Sequence, residues 1–93
     1  MFEWGSMSNR DYDQFLEILK GEVQFPSYYP FKFIVKVEYR DQLIAIFDQH
    51  KVELTPSKNG NYVSVTCQML VATPEHVIEI YKKASAIQGV IAL

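Results

Sequence analysis

The spacing of apolar and polar positions switches period repeatedly along the chain, and each switch marks a new element. Tyr12, Phe15, Leu16 and Leu19 stand at i, i+3, i+4 and i+7, with Asp11, Asp13, Gln14 and Glu17 around the other side. That spacing predicts a short amphipathic helix over about 10–20, capped by Ser8 or Asn9 and ending near Lys20-Gly21. The segment Phe25-Pro26-Ser27-Tyr28-Tyr29-Pro30 holds two prolines, each of which biases the residue before it toward extended conformations, so it reads as a lead-in to a strand. Phe31, Phe33, Val35 and Val37 then alternate with Lys32, Ile34, Lys36 and Glu38, giving the first strand and one strongly apolar face. From Arg40 to about His50 the period is helical again: Leu43, Ile46, Phe47 and His50 share a face with Ile44 beside it, while Asp41, Gln42 and Asp48 lie outside.

The densest local information is in Lys58-Asn59-Gly60-Asn61-Tyr62 and the alternating run Val63, Val65, Cys67, Met69, Val71 that follows. Asn-Gly between two alternating runs is a strong hairpin signal. A two-residue turn there pairs Lys58 with Asn61, Pro56 with Val63, Leu54 with Val65 and Val52 with Cys67, so apolar residues of the second and third strands face one another in the core. A one-residue slip would set Val52 and Leu54 against polar neighbours, which supports the register independently of the turn. Pro56, which cannot donate to a ladder, makes the second strand an edge.

Thr73-Pro74-Glu75 has the form of a helix start, with a cap hydroxyl, a proline at the first helical position and an acid at the positive end of the dipole. Val77, Ile80, Tyr81 and Ala84 make its buried stripe, Gly89 suits its end, and Val90-Ile91-Ala92-Leu93 is a short last strand. The predicted fold is α+β: a ferredoxin-like split β-α-β arrangement (βαββαβ), a two-layer sandwich with a four-stranded antiparallel sheet in the order 4-1-3-2 and an extra N-terminal helix. Both crossover helices cover one face of the sheet. The opposite face carries Lys32, Ile34, Lys36 and Glu38 from the first strand and Tyr62, Ser64, Thr66, Gln68 and Leu70 from the third.

Length confines this to one domain over residues 8–93, with its core from about 23 to 93. Residues 1–7 include Gly5-Ser6 directly before a second methionine and are expected to be a cloning remnant or disordered leader, with Met7 the natural start. Apolar residues at 48% and charged residues at 22% argue against disorder. The longest uncharged run, Asn59 to Pro74, alternates like a strand and contains Ser64, Thr66 and Gln68, so no membrane span is expected. Cys67 alone cannot make an internal disulfide; with no signal core in the sequence, a cytoplasmic protein is expected. A net charge of −2 offers no general field for nucleic acid.

The chain also resembles the YbeD-like family of small bacterial proteins. The resemblance rests on Phe25-Pro26 through Pro30-Phe31-Lys32-Phe33-Ile34, on Pro56-Ser57-Lys58-Asn59-Gly60-Asn61-Tyr62-Val63-Ser64-Val65, on Ala72-Thr73, and on Gln88-Gly89-Val90. It spans about Val23 to Leu93 and departs at Val35, where the pattern has a glycine. It implies a ferredoxin-like fold similar to ACT regulatory domains, a regulatory or binding role, and for some members a link to lipoate metabolism. It brings no catalytic residues.

The residues themselves suggest no enzyme. Ser57-Lys58-Asn59-Gly60-Asn61 could offer N–H groups and a lysine to an anion, but a type I′ hairpin needs the same Asn-Gly, and the GKS or GKT ending of a phosphate loop is missing. Cys67 falls on the apolar side of its strand and reads as an inert core thiol. His50 is expected to close the apolar face of its helix and His76 to sit in the first turn of the next; neither has a second ligand at metal spacing. An RNA-recognition module has the same element order and stacks bases on the first and third strands, yet Tyr62 alone among the aromatics of these strands points to the open face. The candidate interaction surface is therefore Lys58, Asn59 and Asn61 of the hairpin, Tyr62, Ser64 and Thr66 of the third strand, and Lys32 and Lys36 of the first. A protein partner, self-association or a small-molecule effector is expected there, with no cofactor, metal, membrane or nucleic acid. The N-terminal helix lies back on its own domain or docks on a partner.

Overall fold

The computed structural model describes residues 2–3, 9–48 and 50–92. Along the chain run β1 (Phe2–Glu3), α1 (Asn9–Glu22), β2 (Ser27–Lys36), a 3-10 turn (Val37–Tyr39), α2 (Arg40–Ile46), β3 (Glu53–Pro56), β4 (Tyr62–Val71), α3 (Pro74–Ser85) and β5 (Ile91–Ala92). The sheet is antiparallel in the order β1-β5-β2-β4-β3. Four of these strands, β5-β2-β4-β3, stand in the expected ferredoxin-like order. Phe2 and Glu3, assigned from the sequence to a leader, instead add a two-residue strand outside β5, opposite Ala92 and Ile91. The rest of that leader, including Met7, lies outside the described residues, as does Ser8; Asn9, the other expected cap, is already helical.

β2 and β4 form the spine, paired from Ser27↔Val71 to Lys36↔Tyr62. β2 starts earlier than the prolines suggested. The Val37 N–H donates to Asn61 O at 3.1 Å, so the odd residues of β2 bond to β4 and the even ones aim their backbone groups toward β5. Pro30 is even, and β5 pairs only with Phe33 and Ile34, so the missing N–H of Pro30 forfeits no ladder bond. Val37, expected to extend the apolar face of the strand, has left it for the 3-10 turn and is exposed.

On the helical side Phe31, Phe33, Val35, Val65 and Val71 are fully buried, with Val63, Cys67 and Met69 nearly so. Tyr81 of α3 and Phe47 after α2 close over them: the Tyr81 ring is 5.5 Å from that of Phe31 and 5.4 Å from that of Phe33, and Phe47 is 5.8 Å from Phe31. Val35 is core, which accounts for a side chain where the family pattern has glycine. α3 begins as expected, the Thr73 hydroxyl accepting from the His76 N–H at 3.3 Å.

α2 is shorter than its apolar period implies. After Ile46 the chain tightens, with Phe47 N–H donating to Ile44 O and Asp48 N–H to Ala45 O, and Asp48 then turns left-handed at φ 52°. His50 consequently falls outside the helix and is exposed, its Nδ1 2.8 Å from Phe47 O, rather than closing the apolar face. α1 packs along α3: the Phe15 ring is 5.2 Å from that of Tyr81, the Lys82 Nζ sits 5.3 Å over the ring of Tyr12, and Leu19 is buried. The N-terminal helix thus lies on its own domain, and on the side of the sheet that α3 covers.

The hairpin has the expected register, Pro56↔Val63 through Glu53↔Thr66, but its two strands differ. Leu54 and Pro56 face the helical side and are nevertheless exposed, Leu54 at 43%, because the seven residues of α2 do not reach past β4. The inward placement of Leu54 and Pro56 in the core is therefore corrected to an exposed edge, with Val52 half-buried just before it.

Candidate functional site

The described residues leave the face of the sheet opposite the helices open, and the register orders its side chains into cross-strand rows. At one end Tyr28 stands beside Leu70; Pro30 and Gln68 follow; then Lys32, Thr66 and Glu53 form a row across β2, β4 and β3. Ile91, Ile34, Ser64 and Thr55 make the next row, and Lys36 beside Tyr62 ends the face. Tyr28 is 70% exposed, Leu70 52% and Tyr62 39%. Between β3 and β4, Lys51, Glu53, Thr66 and Gln68 line a hollow of about 390 Å³.

Of the predicted surface residues, Lys32, Lys36, Tyr62, Ser64 and Thr66 come together on this face, Lys36 next to Tyr62 and Lys32 next to Thr66. Tyr28 was missed because it sits between prolines in what reads as a lead-in. Carrying the alternation of Lys32 back through Pro30 would have placed it on the open face. Its row and that of Tyr62 lie eight residues apart along β2, about 26 Å at strand rise. The two exposed aromatics are thus too far apart to stack neighbouring bases as an RNA-recognition sheet does.

Lys58, Asn59 and Asn61 stand apart on the hairpin loop. Gly60 takes φ 78°, while Asn59 stays out of the left-handed region, so the turn is not the type I′ expected. It is a four-residue loop, closed by Ser57 N–H to Tyr62 O at 2.8 Å and tightened by Gly60 N–H to Ser57 O at 3.0 Å. The Ser57 hydroxyl donates to Asn59 Oδ1 and accepts from the Tyr62 N–H, and Asn59 Oδ1 also accepts from the Asn61 N–H. The N–H groups that an anion would require at Gly60, Asn61 and Tyr62 are already used within the loop.

Cys67 is buried, and burial pushes its thiol above the ordinary value, the state of an inert cysteine. Tyr81 is held still further toward its neutral form, first by burial and then by its hydroxyl contact with Tyr29, 3.3 Å away. Among the described residues no three His, Cys, Asp or Glu side chains are grouped to hold a metal, and no helix is long and apolar enough to cross a membrane.

A family model described as "Protein of unknown function (DUF493)" matches residues 20–93. The chain belongs to the DUF493 family. The match covers the whole α+β core and only the last residues of α1, in line with the YbeD-like resemblance over about the same span. Among proteins similar to this DUF493 chain is a UPF0250 protein of Shewanella amazonensis (strain ATCC BAA-1098 / SB2B), 32% identical over 91 residues that cover 90% of this chain and 96% of the relative. UPF0250 proteins of Shewanella frigidimarina (strain NCIMB 400) and of Shewanella sp. (strain ANA-3) match over the same shares at 31% and 26%. No solved structure matches the chain. The family description assigns no activity.

Proposed function

We propose that this DUF493 protein is a non-catalytic, ACT-like regulatory module that binds a protein partner through the open face of its sheet, in the bacterial cytoplasm. The observation that carries this reading is the exposed row of Tyr28 and Leu70 at the end of a face on which Lys32, Lys36, Ser64, Thr66 and Gln68 supply polar side chains. An exposed tyrosine next to an exposed leucine, rimmed by Gln68 and Lys32, has the make-up of a small interface centre. The family resemblance adds lipoate metabolism as the pathway in which to seek the partner. The test uses the immobilised chain against extract of the source cell, wild type beside Leu70→Asp. Proteins held by the wild type and lost by the variant are expected; the same set captured by both would sink the proposal.

One observation favours a second reading, a small-molecule sensor: the hollow lined by Lys51, Glu53, Thr66 and Gln68, whose about 390 Å³ lies at the small end of ligand sites. A ligand bound only by the folded chain raises the melting temperature. A panel of amino acids and lipoate-related acids that moves the wild-type melt, and leaves a Glu53→Ala melt in place, would favour this reading over the first.

A further inference from the structure

We propose that the partner which fits the open face is a second copy of this chain, paired about a two-fold axis running along β4, with Lys32 of each copy over Glu53 of the other. This rests on the reading of the open face as a binding surface.

The row Lys32, Thr66, Glu53 carries a positive charge on one side of β4 and a negative charge on the other. At strand spacing their backbones lie about 10 Å apart, with Thr66 between them. Neither is in an ion pair among the described residues, where Lys20–Glu17 and Arg40–Asp41 are the pairs formed. A two-fold axis along β4 exchanges left and right, sets Lys32 over Glu53 twice, and stacks Leu70 and Tyr62 on their own counterparts. An axis across the strands through the middle of the face sets lysine over lysine, Lys32 on Lys32 or Lys32 on Lys36, which opposes association. Charge alone therefore selects one of the two symmetric arrangements.

The edges favour face over edge pairing. In β3 the Ser57–Tyr62 bond fixes Thr55 and Glu53 as the residues bonded to β4, so Leu54 and Pro56 aim their backbone groups outward, and Pro56 has no N–H to give. On the other side β1 caps β5. β2 and β4 are about 33 Å long and β3 about 13 Å, so at a strand spacing of about 4.8 Å the pairing buries on the order of 600 Å² counting both copies, which makes a weak, concentration-dependent dimer.

Sedimentation velocity of the full chain from about 10 μM to about 1 mM reads this directly. The expected mass rises from 10.8 kDa toward twice that value. Lys32→Glu and Glu53→Lys each weaken the dimer by about tenfold or more, and the two together restore it to within about threefold of wild type. Added salt weakens the wild-type dimer several-fold, a readout that needs no variant. A wild type that stays monomeric throughout, or a double variant that fails to recover, overturns the proposal. A monomeric wild type whose capture of other proteins still depends on Leu70 overturns the dimer and leaves the binding module standing.

Discussion

β3 and β4 are hydrogen-bonded neighbours in one register, yet every second residue of β4 is buried and none of β3 is. Leu54 and Val65 stand opposite one another, the first 43% exposed and the second fully enclosed. Pairing is set by the strands and the loop between them, whereas burial is set by the layer above. That layer is Phe47, Leu43 and α3, and it stops over β4. Two apolar side chains on one face of one hairpin can thus contribute very differently to stability.

The sharpest way to break this comparison is to place the same charge on both strands. Val65→Asp buries an unpaired carboxylate and is expected to cost more than about 4 kcal/mol, enough to prevent folding of a small domain. Leu54→Asp should stay within about 0.5 kcal/mol of wild type. Urea titrations of the two variants measure both, and equal losses would show that β3 is covered after all.

The second test uses pH and the buried side of β4. The Cys67 thiol and the Tyr81 hydroxyl are both raised in the folded chain, so the unfolded chain gives up their protons first. Stability from each is complete below its unfolded value, 9.0 for the thiol and 10.0 for the phenol, and is lost as pH rises beyond it. Denaturation midpoints should hold level to about pH 8.5 and then fall, by up to about 1.4 kcal/mol per pH unit for each ionising group. Cys67→Ala should flatten the first part of that fall; an unchanged profile would remove the thiol from the account.

The smallest effect on stability is expected at Pro56. Replacement by Val adds an outward N–H to β3 and should change the urea midpoint by less than about 0.5 kcal/mol, while light scattering on prolonged incubation rises as the edge becomes able to pair. A variant that stays as clear as wild type would show that the edge is guarded by something other than the proline.

The register of the hairpin could be computed from the sequence because a two-residue and a four-residue loop centred on Asn59-Gly60 impose the same pairing. The turn type was wrong and the pairs were right. The split β-α-β order was legible for a related reason, since Phe31 to Val35, Val63 to Val71 and the capped start of α3 each carry their own period. What could not be read was extent. Alternation puts Leu54 on the inner face but does not say how far a helix reaches over it, and an apolar period running on to His50 hides the left-handed turn at Asp48. The open face was legible as a set of residues, while its more exposed aromatic, Tyr28, lay hidden behind Pro30.

The hairpin loop has a further consequence, in the chemical ageing of the chain. An Asn-Gly bond converts to a cyclic imide when the glycine nitrogen attacks the asparagine side-chain carbonyl and ammonia leaves. Here the Gly60 N–H is held by Ser57 O, and Asn59 Oδ1 is held by Ser57 Oγ and the Asn61 N–H. Attack requires the loop to open first. The folded chain should therefore keep its Asn59 amide far longer than the same chain in urea, which mass spectra of stored samples would record, and Ser57→Ala should shorten that lifetime while leaving the sheet intact.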